Sequence, residues 1–171
     1  MAKTISFRLT PKDIDKAIAE VNEYKKSIKG KSAKLIKRLS EKGVEIVRKN
    51  ILNLDILDTG ELYNSVSVFY SESENAGYIL IDCDYALFVE FGTGVVGKTS
   101  PYPGEAMAEI GYQYGGGTTY VVTKDGRIGW FYPADDGTWR FTEGMPSRPF
   151  IHNSVKELKR LFPSIAKEVF K

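Results

Sequence analysis

The sequence predicts an α+β fold: an antiparallel β-sheet packed against long N-terminal helices and a C-terminal helix, with a β-meander inserted before the last helix. Three observations carry this. Apolar residues recur at steps of three and four between 14 and 51 and again between 151 and 169, the period of an amphipathic helix. Apolar and polar residues alternate between 66 and 83, as in half-buried strands. Three short runs between 119 and 142 are joined by Asp125-Gly126 and Asp136-Gly137, dipeptides that favour tight hairpin turns.

The 171 residues, 42% of them hydrophobic, suit one domain spanning 1–171, because a domain of about 150 residues already buries about 70% of its extended surface. Cys83 is the single cysteine, which excludes an internal disulfide. No basic start, apolar stretch and small-residue cleavage site open the chain, so a reducing cytoplasm is the expected setting. No apolar run approaches the roughly 20 residues that span a bilayer, so a membrane partner is not expected.

The net charge of +2 hides a segregation. Residues 1–50 hold 14 Lys and Arg against 6 acids, 51–97 hold 8 acids and no base, and 98–171 hold 10 bases and 8 acids. Either the basic and acidic stretches fold against each other and neutralise, or they are complementary faces between copies in a ring.

In order along the chain, Ile5, Phe7 and Leu9 alternate with polar residues, which predicts a short edge strand over 4–9. Thr10-Pro11-Lys12-Asp13 then supplies an N-cap, a proline at the first helical position and an acid in the first turn. Ile14, Ala17, Ile18, Val21, Tyr24 and Ile28 follow at helical spacing, so a first helix runs to Gly30. A second opens at Ser32 with Ile36, Leu39, Gly43, Ile46, Val47 and Ile51 on one stripe, and Gly43 marks a close helix contact. Its other face is basic through Lys31, Lys34, Lys37, Arg38, Lys42, Arg48 and Lys49. Such a run is either a solvated face or a track for nucleic-acid phosphates, and no aromatic residues interleave with it.

Asp58 and Glu61 form a variant capping box that starts a helical turn through Leu62 and Tyr63. A hairpin follows, with strands over 66–71 and 76–83 about a reversal at Ser71–Asn75. Asp84 as N-cap and Gly92 as a left-handed residue past the end frame a short helix from Tyr85; a strand is the rival. Glu90 sits among Phe88, Val89 and Phe91, where an unpaired charge is costly, so it needs a partner distant in sequence. Residues 95–117 read as a long loop with a helical piece at 105–110. The meander then carries Trp130, Phe131, Tyr132, Trp139 and Phe141, large aromatics that must cover the core or a neighbouring subunit. Pro149 pre-sets the last helix, and Pro163 should kink or restart it near Phe162.

Three separated blocks, Asp58-Thr-Gly-Glu-Leu-Tyr-Asn-Ser-Val66, Tyr85-Ala-Leu-Phe-Val-Glu-Phe-Gly-Thr-Gly94 and Gly144-Met-Pro-Ser-Arg-Pro-Phe150, resemble in type and order the tail-completion and neck (head–tail joining) protein family of long-tailed bacteriophages, the "gene product ten" type. The likeness covers the chain from about residue 30 to the end. Residues 95–143 depart from it, being longer and more aromatic than a minimal member needs. The resemblance implies a structural virion part and not an enzyme. It implies a homo-oligomeric ring, hexameric, between the head connector and the tail tube or its terminator, with DNA passing through. The residues expected to matter for structure or interfaces are Asp58, Thr59, Gly60, Leu62, Glu90, Phe91, Gly92, Thr93, Gly94, Trp130, Trp139, Arg148, Pro149 and Phe150.

Independently of that likeness, Glu90 and Arg148 are a carboxylate and a guanidinium in apolar surroundings and are expected to pair, holding the last helix against the Glu90 segment. Gly92 and Gly94 should adopt positive φ. Enzyme readings fare badly. His152 is the only histidine and lies on a helix with a complete apolar stripe. Cys83 lies between Asp82 and Asp84, without the positive surroundings that activate a thiol. Asp135 and Asp136 could form a hydrolytic pair, but Asp136 already serves a turn with Gly137. Gly115-Gly-Gly117 lacks the lysine of a phosphate loop. No cofactor or metal is expected. The alternatives are a nucleic-acid-binding module using residues 31–49 and, last, a carboxylate hydrolase.

Overall fold

A computed structural model describes residues 4–56, 59–116, 119–134 and 136–171. In chain order the helices are α1 (Pro11–Asn53), α2 (Glu61–Asn64), α3 (Ala86–Phe91), α4 (Gly94–Thr99), α5 (Ala106–Glu109) and α6 (Phe150–Phe170). The strands are β1 (Val66–Ser71), β2 (Ala76–Ile81), β3 (Val121–Val122), β4 (Ile128–Pro133), β5 (Trp139–Thr142) and β6 (Gly144–Met145). The fold is α+β, with a two-stranded antiparallel hairpin β1-β2 and a three-stranded antiparallel meander β3-β4-β5.

The two expected N-terminal helices are one helix of 43 residues, about 65 Å long at about 1.5 Å per residue. Thr10 caps it, its Oγ1 accepting the Asp13 N–H at 3.3 Å. Gly30 does not stop the helix. A glycine stops a helix by turning to positive φ, and Gly30 is not among those that do; as a helical glycine it costs about 1 kcal/mol relative to alanine. The strand expected at 4–9 is absent: those residues lie beside the first turns of α1, where no strand offers a ladder. Phe7 instead borders a groove with Ile14, Ala17 and Ile18.

From residue 31 onward α1 packs antiparallel along α6. Asn50 Nδ2 donates to Ser154 Oγ at 2.9 Å, Lys49 pairs with Glu157 at 3.1 Å and Arg38 with Glu168 at 3.0 Å. The hairpin lies on the same stretch of α1. Val66 stands opposite Ile81 and Ser71 opposite Ala76. One face of the hairpin, through Val66, Ile79 and Ile81, joins the core, while Phe69, Tyr78 and Leu80 face outward and are 42–53% exposed. The close contact at Gly43 is made chiefly by a strand: a Cβ there would collide with the Ile79 side chain, and Leu158 of α6 lies at 3.5 Å. α6 runs unbroken through Pro163, which sits on the exposed side where the carbonyl freed one turn back is open to solvent.

Val47, Ile51, Ile56, Leu62, Val66, Ala86, Val89 and Phe150 form the buried core. In contrast, every residue from Val21 to Gly30 is exposed, so α1 projects about 30 Å beyond the body as an arm over 11–30. Among the described residues, no ion pair joins a base of 1–50 to an acid of 51–97; the inter-element pairs of α1 go to α6. Among them too, no helix is long and apolar enough to cross a membrane.

Candidate functional site

The three sequence blocks, at 58–66, 85–94 and 144–150, meet at one joint centred on Glu90. The carboxyl is 1% exposed and sits on α3, whose helical form resolves the helix-or-strand alternative. The expected guanidinium partner is not there. Ile151 N–H donates to Glu90 Oε2 at 2.7 Å and His152 N–H to Oε1 at 2.9 Å, so Glu90 caps the first turn of α6 from a remote segment. Arg148 contributes its backbone instead, its N–H donating to Val89 O at 2.9 Å. Its half-buried side chain points to another segment, with Nη1 3.4 Å from Asp55 O. The physical reason is that two backbone donors at a helix start satisfy a buried carboxyl without the burial of a second charge.

Burial pushes the Glu90 carboxyl above the usual carboxylate range, against the pull of the Ile151 and His152 N–H groups and the Tyr102 hydroxyl. Ser147 Oγ donates to Glu90 O at 2.7 Å, so the backbone of the same residue is clamped too. Pro149, at φ −76°, leads into Phe150, which is fully buried against Val89, Leu62 and Val66.

The glycines of the second block allow a close backbone crossing. Gly92 has φ +79°, and a Cβ there would lie 2.6 Å from Ser147 N and 2.8 Å from Met145 O. Gly94, at φ +63°, faces Gly144, and a Cβ would lie 2.7 Å from the Trp130 ring. Thr93 pairs with Met145, whose N–H donates to Thr93 Oγ1 at 3.0 Å. Gly92 is thus at positive φ as expected, but its ψ of 169° is extended and not that of a left-handed cap. Asp84 is not the cap of α3; Tyr85 is, and its hydroxyl accepts the Leu62 N–H at 3.2 Å, tying the first block to the second. Within the first block, Gly60 at φ +83° precedes α2, and Thr59 Oγ1 accepts the Glu61 N–H at 3.3 Å. Asp58 lies outside the described residues, as does Asp135.

Sequence reasoning missed a set of tyrosines that closes the joint from the 95–117 stretch. Phe91 packs against Tyr102 and Tyr112, at 4.8 and 5.0 Å between centroids. Tyr112 Oη donates to Gly92 O at 2.7 Å, and Tyr102 Oη lies 3.4 Å from His152 Nδ1. Nothing in their spacing distinguishes them from solvent-facing loop tyrosines. The expected loop itself holds α4 and α5. Trp130 reaches the joint through Gly94 and stands edge-on to Tyr120 at 5.9 Å. Trp139 does not reach it and is 69% exposed.

Chemically the joint is a lock: both Glu90 oxygens and the surrounding carbonyls are engaged by the chain's own donors. Cys83 is half-buried and packed against the core. Asp136 serves its turn, accepting from Thr138 N–H at 3.0 Å and pairing with Arg140 at 2.7 Å. On the basic face, Arg48 lies over the Tyr63 ring at 5.4 Å and donates to Val66 O at 2.9 Å, while Lys42 pairs with Glu45 at 2.6 Å. No family model, curated protein or solved structure matches this chain.

Proposed function

We propose that this chain is a structural virion protein of the neck or tail end of a long-tailed bacteriophage, forming a ring that completes the tail and joins it to the head connector. The observation that carries the reading is the convergence of the three blocks. The Leu62 N–H bonds Tyr85, Glu90 caps α6, and Gly94 crosses Gly144, so motifs that resemble the family in sequence are one object in space. A coincidental likeness of three short peptides gives no reason for them to share a core. The resemblance also implies hexameric symmetry, tail-terminator and connector partners and passage of DNA through the ring. The outward aromatics of the meander, Phe131, Tyr132 and Trp139, supply surface for such partners.

The test is electron microscopy of particles, with the purified protein added to tails lacking it. Density for a ring at the head-proximal tail end and recovery of head joining are the expected results. Failure of the protein to bind tails or connectors at all, or steep salt-dependent binding to free DNA, would replace this reading with the nucleic-acid one.

A further inference from the structure

Two surfaces left largely open among the described residues complement each other, and one copy cannot bring them together. The first is the arm, where Ile14, Ile18, Val21, Tyr24 and Ile28 form a continuous apolar stripe, each side chain 36–54% exposed. Phe7, Ile14, Ala17, Ile18 and Val21 line a shallow groove of about 250 Å³ along it. Lys25, four residues beyond Val21 and three before Ile28, borders the stripe, with Lys29 one turn further on. The second is the outer face of the hairpin, with Phe69 and Tyr78 paired at 6.2 Å and Leu80 beside them. Its rim is acidic, through Glu72, Glu74 and Asp82, and the whole stretch 51–97 holds no base.

Charge selects the hairpin over the meander as the arm's target. The meander is also aromatic and exposed, but it carries its own bases, and Arg127 and Arg140 are already matched to Asp125 at 2.8 Å and Asp136 at 2.7 Å. Geometry selects another copy. The hairpin lies on α1 beside Ile36, Ser40 and Gly43, whereas the arm continues away from it on the same unbroken helix and cannot fold back. We propose that the arm of one copy docks its apolar stripe on the outer face of the β1-β2 hairpin of a second copy, with the arm lysines over the hairpin acids. The contact joins two different surfaces, so it propagates head to tail and either closes a ring or grows a filament. It deepens the ring reading above and rests on it for the closure alone.

The experiment uses full-length protein in a Cys83→Ser background. Val21→Cys protein is mixed with Tyr78→Cys protein and oxidised with glutathione disulfide, and each is oxidised alone. Disulfide-linked dimers in the mixture and none in either sample alone are expected. Cross-linking of Val21→Cys protein with itself would mean that arms pair with arms, and would overturn the proposal. In parallel, light scattering across protein concentrations should show self-association of the Cys83→Ser parent. Val21→Glu should weaken it by about tenfold or more, and added salt should weaken it further. Val21 is exposed, so this variant folds; unchanged assembly by it, or a parent that stays monomeric throughout, overturns the contact. The two readings fail separately. Rings that form regardless of Val21→Glu would keep the ring and remove this contact, and cross-linked filaments without rings would do the reverse.

Discussion

Ile46, Val47 and Ile51 are at most 3% exposed, while Ile18, Val21 and Tyr24 on the same helix are 50–54% exposed. Both sets lie at helical spacing and would read alike in any window of sequence. The C-terminal half of α1 is covered by the hairpin and α6, and among the described residues the N-terminal half is covered by residues 5–8 alone. An amphipathic stripe states that a helix face needs burial, and only the surroundings decide whether the same molecule supplies it.

The comparison breaks first on truncation. Ile51→Ala in the body should cost about 2–5 kcal/mol in urea unfolding, and Val21→Ala in the arm should stay within about 0.5 kcal/mol in dilute protein. Equal costs would mean that the arm is packed in solution.

The joint should respond nearly as strongly. Glu90→Ala strands two N–H groups of α6 and should cost about 2 kcal/mol or more, with Glu90→Gln milder because its amide oxygen still accepts one of them. The pH dependence follows from the raised carboxyl. Between its ordinary 4.5 and the raised folded value, the folded protein holds a proton that the unfolded chain has lost. This group's contribution is therefore full below about 4.5 and declines as pH rises through the folded value. Thermal melts of Glu90→Gln should lack that decline; an unaltered profile would assign it to other groups.

Two glycines give a smaller contrast of opposite sign. Gly92→Ala at φ +79° pushes a methyl onto Ser147 N and Met145 O and should cost about 1–3 kcal/mol or more. Gly30→Ala meets nothing within 4 Å in a helical position and should stabilise by up to about 1 kcal/mol. Destabilisation by Gly30→Ala would place a bend or a contact there. An effect as small, within about 1 kcal/mol, is expected of Arg148→Ala, since among the described residues the hydrogen bond its side chain loses is one long 3.4 Å contact to Asp55 O. A loss of several kcal/mol in melting would restore the Glu90–Arg148 pair that sequence suggested.

Much of the candidate site was legible residue by residue. Glu90 was recognisable as buried from its apolar neighbours, Gly92 and Gly94 as turned backbone, and Pro149 and Phe150 as the start of a helix. The identity of Glu90's partner was not legible, because backbone N–H groups exist at every residue and leave no trace in composition. Arg148 was conspicuous for its charge and therefore attracted the assignment. Tyr102 and Tyr112 were hidden for a related reason: a tyrosine in a Gly- and Pro-rich stretch carries no periodicity to mark it as packed.

By itself the sequence determined what depends on neighbours a few positions away: the helical period of α1 and α6, the alternation of the hairpin, the Asp-Gly turns of the meander and the glycines that permit positive φ. Tertiary structure decided what depends on residues far apart in the chain. It made one helix of two segments, since Gly30 only weakens a helix and does not turn it. It gave Glu90 the first turn of α6 instead of a guanidinium, and it covered one half of the long stripe while leaving the other bare. Local sterics and propensities act within a turn or two, whereas burial and hydrogen-bond pairing are allotted by which distant segments the fold brings into contact.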